Sequence, residues 1–410
     1  MGLTMSQRRA VTKAIATRYK RAGKSAKGVI LDELCATTGW HRNHARKALA
    51  SALKPKIVKP ARAPRTPKYD ADTVVALGFC WAVLGAPTGK RLAPMMGELV
   101  PRLRRFEELK IADDTAAALV AMSAATMDRR LAQDRAKLTL KGRSHTKPGS
   151  LLKDQIPIRT WAQWDDAVPG FVEIDLVGHE GGNAVGEHCY TLTVTDIATG
   201  WTENRSVRNK ARRWVIAALE DIAQLMPFPV LGVDSDNGTE FINHHLLDWT
   251  QRRKITFTRS RPGNSNDGAH VEQKNWAVVR TVVGYHRYDT AAELALLNDI
   301  WALQSHMTNY FLPQQKLISK VRDGAKVTKK YDKATTPHRR AARHDAVSVE
   351  DKAILAEDYT DLNPAAIQRQ IQALTAQLLT LTTSKSAAVI KPVPTRASVN
   401  ESTKPATRAS

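Results

Sequence analysis

Residues 171–177 read Phe-Val-Glu-Ile-Asp-Leu-Val, an apolar strand carrying two carboxylates two positions apart. Side chains alternate along a strand, so Glu173 and Asp175 share one face while Val172, Ile174 and Leu176 share the other. A carboxylate in such a strand is costly unless it is paired or meets a cation. Working outward, His188–Thr195 and Trp201–Val207 read as two more strands, joined as a hairpin through the turn Asp196–Gly200. Ala211–Leu225 has the period of an amphipathic helix. Pro229–Val233 is a short buried strand, and the run Asp234-Ser-Asp-Asn-Gly238 is expected to break it. A helix over Phe241–Arg253, a strand over Ile255–Thr258, a helix over Asp267–Val282 and a helical stretch from Tyr285 to Asn309 follow. Antiparallel strands first, then strands alternating with helices, imply a mixed sheet with helices on its faces.

Charge sets the partner class. The 410 residues carry 62 Lys and Arg against 40 Asp and Glu, a net charge of +22 that is spread over several segments. Such a surplus points to a polyanion, and nucleic acid is the usual one. With 42% hydrophobic residues the chain can bury a core, which excludes a solvated polyelectrolyte. Cys35, Cys80 and Cys189 stand far apart, so neither a zinc knuckle nor a disulfide framework is expected. No apolar run reaches the roughly 18 residues of a membrane span, and the first residues lack the apolar core of a signal peptide. A cytoplasmic, nucleoid-associated protein without a membrane partner is the expectation.

The flanks read as modules. Residues 1–55 are helical and basic; Val29–Leu49 holds two helical pieces around Thr37-Thr38-Gly39-Trp40, the layout of a helix-turn-helix. Arg42, Asn43, Arg46 and Lys47 lie on the polar side of its second helix and are candidate DNA contacts; the alternative is a simple helical bundle. Residues 56–69 form a basic, proline-rich linker, either a spacer or a groove-tracking arm. Residues 70–141 are a second helical region ending in another helix-turn-helix pattern, with Ser123 as a cap and Arg129 and Arg130 as candidate DNA contacts. A connector spans 142–167. After a core at 168–312, residues 313–350 form a basic segment, expected to be small and β, with Lys329 and Lys330 as candidate contacts. A helix at 351–383 carries an apolar seam of Ile367, Ile371, Leu374, Leu378 and Leu381, which fits packing on the same chain and self-association equally. A disordered tail is expected at 384–410.

Two further acids complete the pattern. Asp236 lies just past a buried strand in Ser235-Asp-Asn-Gly-Thr-Glu-Phe241, and Glu272 follows with 35 residues between, after the loop Arg261-Pro-Gly-Asn-Ser-Asn-Asp-Gly268. Taken singly, each acid has a structural explanation, Glu272 as a favoured helix first-turn residue for one. Together, the segment from Phe171 to about Tyr285 resembles the catalytic core of the retroviral-integrase and bacterial insertion-sequence transposase superfamily. Asp175 matches that family's first-strand Asp, Asp236 its Asp-Asn-Gly acid, and Glu272 its helical Glu at the same spacing. Asp234 is the rival for the second position, and the Asp-Asn-Gly context favours Asp236. The chain departs in reading Glu272-Gln-Lys-Asn275 where many relatives carry Arg-Phe-Asn, which bears on Lys274 and Asn275 as candidate DNA contacts.

The resemblance implies a ribonuclease-H-like α/β core, a mixed five-stranded sheet with helices on both faces, preceded by helix-turn-helix domains and followed by a basic segment and a C-terminal helix. It implies a transposase or integrase that binds double-stranded DNA of element ends and target, acting as a homo-oligomer, with a helper ATPase as an optional partner. Two Mg²⁺ or Mn²⁺ ions held by Asp175, Asp236 and Glu272 would suit the chemistry, because hard cations prefer oxygen ligands and an ion pair serves both the attacking and the leaving oxygen of a phosphodiester. On this reading Asp175 bridges the ions. The alternatives are a nuclease of the same fold that does not join ends, and a non-enzymatic DNA-binding regulator derived from a transposase.

Overall fold

A computed structural model of the chain describes residues 3–54, 68–138, 168–236, 241, 244–259 and 269–388. The linker at 56–67, the connector at 142–167, Asn237, Gly238, the loop Arg261–Gly268 and the tail from 389 lie outside the described residues. The chain divides into two compact units, Met1–Lys68 and Tyr69–Ser410.

The first unit holds three helices, α1 (Met5–Arg21), α2 (Lys24–Thr38) and α3 (Arg42–Ala52). Ala16, Leu31, Leu34, Ala45 and Leu49 form its small core. Gly39 ends α2 at φ +70°, a conformation cheap only for glycine, and so permits the short turn into α3. His41 caps α3 by accepting from the Asn43 N–H at 3.4 Å.

In the second unit, α4 (Ala71–Val83), α5 (Gly89–Leu92), α6 (Met96–Arg105), α7 (Asp113–Val120), α8 (Ala124–Arg130) and α9 (Ala132–Ala136) precede the sheet. Ser123 caps α8, and the helix breaks at Leu131. The sheet holds β1 (Phe171–Gly178), β2 (Tyr190–Asp196), β3 (Thr202–Val207), β4 (Gly232–Ser235) and β5 (Thr256–Arg259), in the order β3-β2-β1-β4-β5. The first three strands are antiparallel, and β4 and β5 run parallel to β1, giving the mixed ribonuclease-H-like sheet. Strand β4 begins later and runs further than expected, so that Asp234 and Ser235 belong to the sheet. Asp234 is tolerated there because the Thr258 hydroxyl donates to it at 2.5 Å.

The two faces of the sheet differ in chemistry. Val172, Ile174, Leu192, Val194 and Val233 pack under α10 (Arg212–Leu225), which α11 (His244–Arg252) flanks. The opposite face is polar: register places Thr195, Glu173, Asp234 and Thr258 in one row and Asn204, Thr193 and Asp175 in the next. That face is sustained by internal bonds such as Asn204 Nδ2 to Thr193 Oγ1 at 2.9 Å. Over it lies α12 (Ala269–Lys274), continued by π-helical turns at Asn275–Arg280 and a last turn, α13 (Thr281–Val283). Helix α14 (Ala291–His306), ending in π turns at Met307–Phe311, closes the β3 edge, where Trp301 donates to Ser206 Oγ at 2.8 Å.

At that edge Glu203 accepts from Ser305 Oγ at 2.7 Å, Trp201 Nε1 at 2.8 Å and Asn309 Nδ2 at 3.2 Å. Burial nevertheless pushes its carboxyl up from 4.5 to about 7. The folded chain then holds a proton that the unfolded chain releases at lower pH, so the stability contributed is complete below about 4.5 and is lost as pH rises through about 7. Glu203→Gln is expected to flatten that slope, worth up to about 3 kcal/mol; urea melts at pH 4.5 and 8 check it, and a slope unchanged by the substitution would refute it.

The C-terminal part is a two-stranded antiparallel ribbon, β6 (Leu317–Asp323) and β7 (Lys326–Tyr331), exposed on both faces. Helices α15 (Pro337–Arg343), α16 (Val349–Asp361) and α17 (Pro364–Ala388) follow. Arg102 of α6 lies over the Tyr359 ring at 3.9 Å and donates to the Tyr359 carbonyl at 2.7 Å, tying α16 to the helices before the sheet. Of the apolar seam, Ile367, Ile371 and Leu378 are buried within the chain and Leu381 is exposed. Helix α17 runs to Ala388, so the first residues of the expected tail are helical. No helix among the described residues is long and apolar enough to cross a membrane.

Candidate active site

The site grows from β1. Ile174 is the register partner of Ser235 on parallel β4, so Asp236 leaves the sheet beside Asp175. This is the carboxyl edge of the parallel strands, where open α/β sheets collect their sites. Asp236 is exposed and Asp175 half-buried. The Asp175 carboxylate accepts from its neighbour's amide, Leu176 N, at 2.7 Å and from Asn275 Nδ2 at 2.5 Å. Burial first, then the charge of Asp236 and lastly that of Glu272, raise the Asp175 carboxyl to about 7 against those two bonds.

Glu272 stands exposed in the first turn of α12. That turn is anchored by Glu173, which accepts from Val271 N at 3.1 Å. Partial burial and the charge of Glu173 raise the Glu272 carboxyl. The other two acids proposed from the sequence, Asp236 and Glu272, thus lie within electrostatic reach of Asp175. Among the described residues, no three His, Cys, Asp or Glu side chains are drawn tightly enough round one point to hold an ion. Glu173 and Asp234, buried in the row beside Asp175, serve the scaffold: one pins α12 and the other holds β5 through Thr258.

The expected DNA-contact residues fall into distinct settings. Arg42, Asn43, Arg46 and Lys47 are exposed on α3, with Arg42 also paired to Asp32. Arg129 and Arg130 are exposed at the end of α8, and Lys329 and Lys330 on β7. Asn275 spends its amide on Asp175, a positioning contact that spacing along the chain does not reveal. Lys274 is half-buried and donates to the Gly200 carbonyl at 3.3 Å; burial and the nearby Arg91 and Arg340 lower its ammonium well below the usual value.

Residues 165–265 match the integrase core domain family. The chain is 37% identical over 336 residues to the uncharacterized protein y4rM of Sinorhizobium fredii, covering 82% of this chain and 95% of that protein. Among solved structures, the catalytic core of BIV integrase aligns at 16% identity over 42% of this chain and 91% of its own, with a TM-score of 0.28. The HTLV-2 integrase core in complex with magnesium aligns at 13% identity over 36% and 90%, also with a TM-score of 0.28. With its sheet order, its Asp-Asn-Gly acid at the strand end and this family match, the chain belongs to the retroviral-integrase-like transposase and integrase superfamily.

Proposed function

We propose that the protein binds the ends of a mobile DNA element, cleaves a strand there and transfers the exposed 3′-hydroxyl into target DNA, using Asp175, Asp236 and Glu272 with divalent metal. The observation that carries this reading is the register of β1 on β4, which sets Asp236 beside the half-buried Asp175 with Glu272 within electrostatic reach. Acids so arranged call for a cation between them.

The donor set fits magnesium or manganese. It offers carboxylate oxygens, ligands that hard cations prefer. Asp175, Asp236 and Glu272 would hold the metal between them. Bound there, the metal would supply the positive charge that activates an attacking oxygen and stabilises the leaving one at a phosphodiester. The chain's own part is positioning. Asn275 fixes one Asp175 oxygen, Glu173 fixes the start of the helix bearing Glu272, and the end of β4 sets Asp236 beside Asp175.

The surplus of 22 positive charges suits a DNA ligand held mostly through phosphates, and binding should weaken steeply with salt. The exposed basic residues of α3, of the end of α8 and of β7 are its proposed contacts. Joining two ends calls for a homo-oligomer on DNA, and a helper ATPase is compatible with that assembly. The test is a joining assay on labelled duplex ends with magnesium or manganese. Joined products are expected from the parent chain and none from Asp236→Asn. Undiminished joining by the variant would sink the assignment, and cut but unjoined ends would instead identify a nuclease.

A further inference from the structure

Three cations converge behind the helix that carries Glu272. Arg91 comes from α5, Lys274 from α12 and Arg340 from α15. Arg91 Nε donates to the Pro313 carbonyl at 2.6 Å, Lys274 Nζ to that of Gly200 at 3.3 Å, and Arg340 Nη2 to that of Gln314 at 2.9 Å. Arg91 and Arg340 stand close enough to repel Lys274. The carboxylate in the group is Asp332, which meets Arg340 at 2.7 Å and also accepts from Lys316 N. Among the described residues, Arg91 and Lys274 have no carboxylate partner. Arg340 Nε is buried and has no hydrogen-bond partner.

Three cationic side chains around one carboxylate, in half-buried surroundings, are held in their charged forms most readily when an anion joins them. Each donor gives one N–H to a backbone carbonyl; Arg340 also pairs with Asp332, and its Nε remains without a partner. The wall they share is built to stay in place. Gly200 sits at φ +78°, and a Cβ there would stand 2.5 Å from Gln314 Oε1, so glycine lets the β2–β3 turn close against Gln314. Guanidinium forks and an ammonium brought close together suit the oxygens of a phosphate group.

We propose that Arg91, Lys274 and Arg340 form a seat for a backbone phosphate of the DNA, coupling the strand held at the acids to the helices before the sheet and to α15. The proposal rests on the DNA-joining reading given above. It adds two residues, Arg91 and Arg340, that no motif marks.

The test uses the full-length chain, Lys274→Met, Arg91→Gln and the conservative Lys274→Arg. Thermal melts in sodium chloride and in inorganic phosphate at matched ionic strength are compared, along with the salt dependence of duplex binding. The parent is expected to melt higher in phosphate than in chloride. Lys274→Met is expected to melt at or above the parent in chloride, to lose the phosphate response, and to lower the log–log salt slope of DNA binding by about one. Arg91→Gln should lose the response and the slope unit likewise, and Lys274→Arg should restore both. A lower melt of Lys274→Met in chloride would mark Lys274 as a structural staple and overturn the seat. So would a phosphate response kept by both neutral variants. A phosphate response lost with the DNA slope unchanged would overturn the assignment to DNA. Joining that survives Asp236→Asn, beside altered melts and slopes, would defeat the functional reading and leave the seat standing.

Discussion

Asp175→Asn is expected to lower strand joining at least about a thousandfold, the scale of losing charge stabilisation at a phosphoryl centre, while the chain stays folded. The fold survives because the substitution answers a local problem. Asp175 carries a half-buried charge beside Asp236 and Glu272. An amide at that position keeps the acceptor for Leu176 N and removes the repulsion. Its new NH₂ faces Asn275, whose Oδ1 is buried without a hydrogen-bond partner, so turning the Asn275 amide over provides an acceptor. In buffer with chelator the variant should therefore melt at or above the parent. With magnesium added the order should reverse, because only the parent gains stability from a ligand that binds the folded state. The two readouts separate catalysis from folding. Joining at the parental rate would remove Asp175 from the chemistry, and a magnesium response equal in both chains would remove it from the metal site.

Position along the chain carried the acids further than it carried their surroundings. Alternation in FVEIDLV places Glu173 and Asp175 on one face of a strand, and that is where they lie. The carboxyl edge of a buried strand places Asp236, and the register of β1 on β4 brings it beside Asp175. Strand β4 was harder to delimit. Its expected start at Pro229 gives way to Gly232, and its expected break at Asp234 gives way to two more paired residues. An aspartate reads locally as a strand breaker, whereas the hydroxyl that stabilises it comes from Thr258 on another strand. The same limit explains Asn275 and Arg340. Their partners, Asp175 and the carbonyl of Gln314, are set by how helices lie on the sheet and not by neighbours in sequence. The π turns after Lys274 have no Gly or Pro to announce them. The seam of α17 was readable as apolar, but its partner was not: the heptad spacing fits any apolar surface, and the chain's own core is the one that buries Ile371 and Leu378.

One carboxylate reinforces that docking, and Glu293→Ala is expected to cost about 4 kcal/mol, as removing one member of a buried charge network does. Glu293 is fully buried in α14. Its Oε2 accepts from Asp289 N and Thr290 N at 3.0 Å each and from Thr290 Oγ1 at 2.8 Å, completing a capping box with Thr290. From α17, Thr382 Oγ1 donates to its Oε1 at 3.0 Å, and the Lys385 ammonium stands 2.7 Å away. One side chain therefore both starts α14 and fastens α17 to it. Alanine would leave the Asp289 and Thr290 N–H groups without their acceptor and Lys385 with Asp289 as its remaining carboxylate partner. A drop in melting temperature on the order of 10 °C is expected for a unit of this size. Glu293→Gln separates the two roles, because its amide oxygen keeps the acceptor while Lys385 loses one of its two carboxylate partners; it should fall between parent and alanine. Proteolysis gives the local readout: cleavage within α17 should rise in both variants before the sheet opens. If Glu293→Ala melts within about 1 kcal/mol of the parent, the usual range of a surface change, the network does not hold α17, and the apolar seam alone keeps that helix against the catalytic unit.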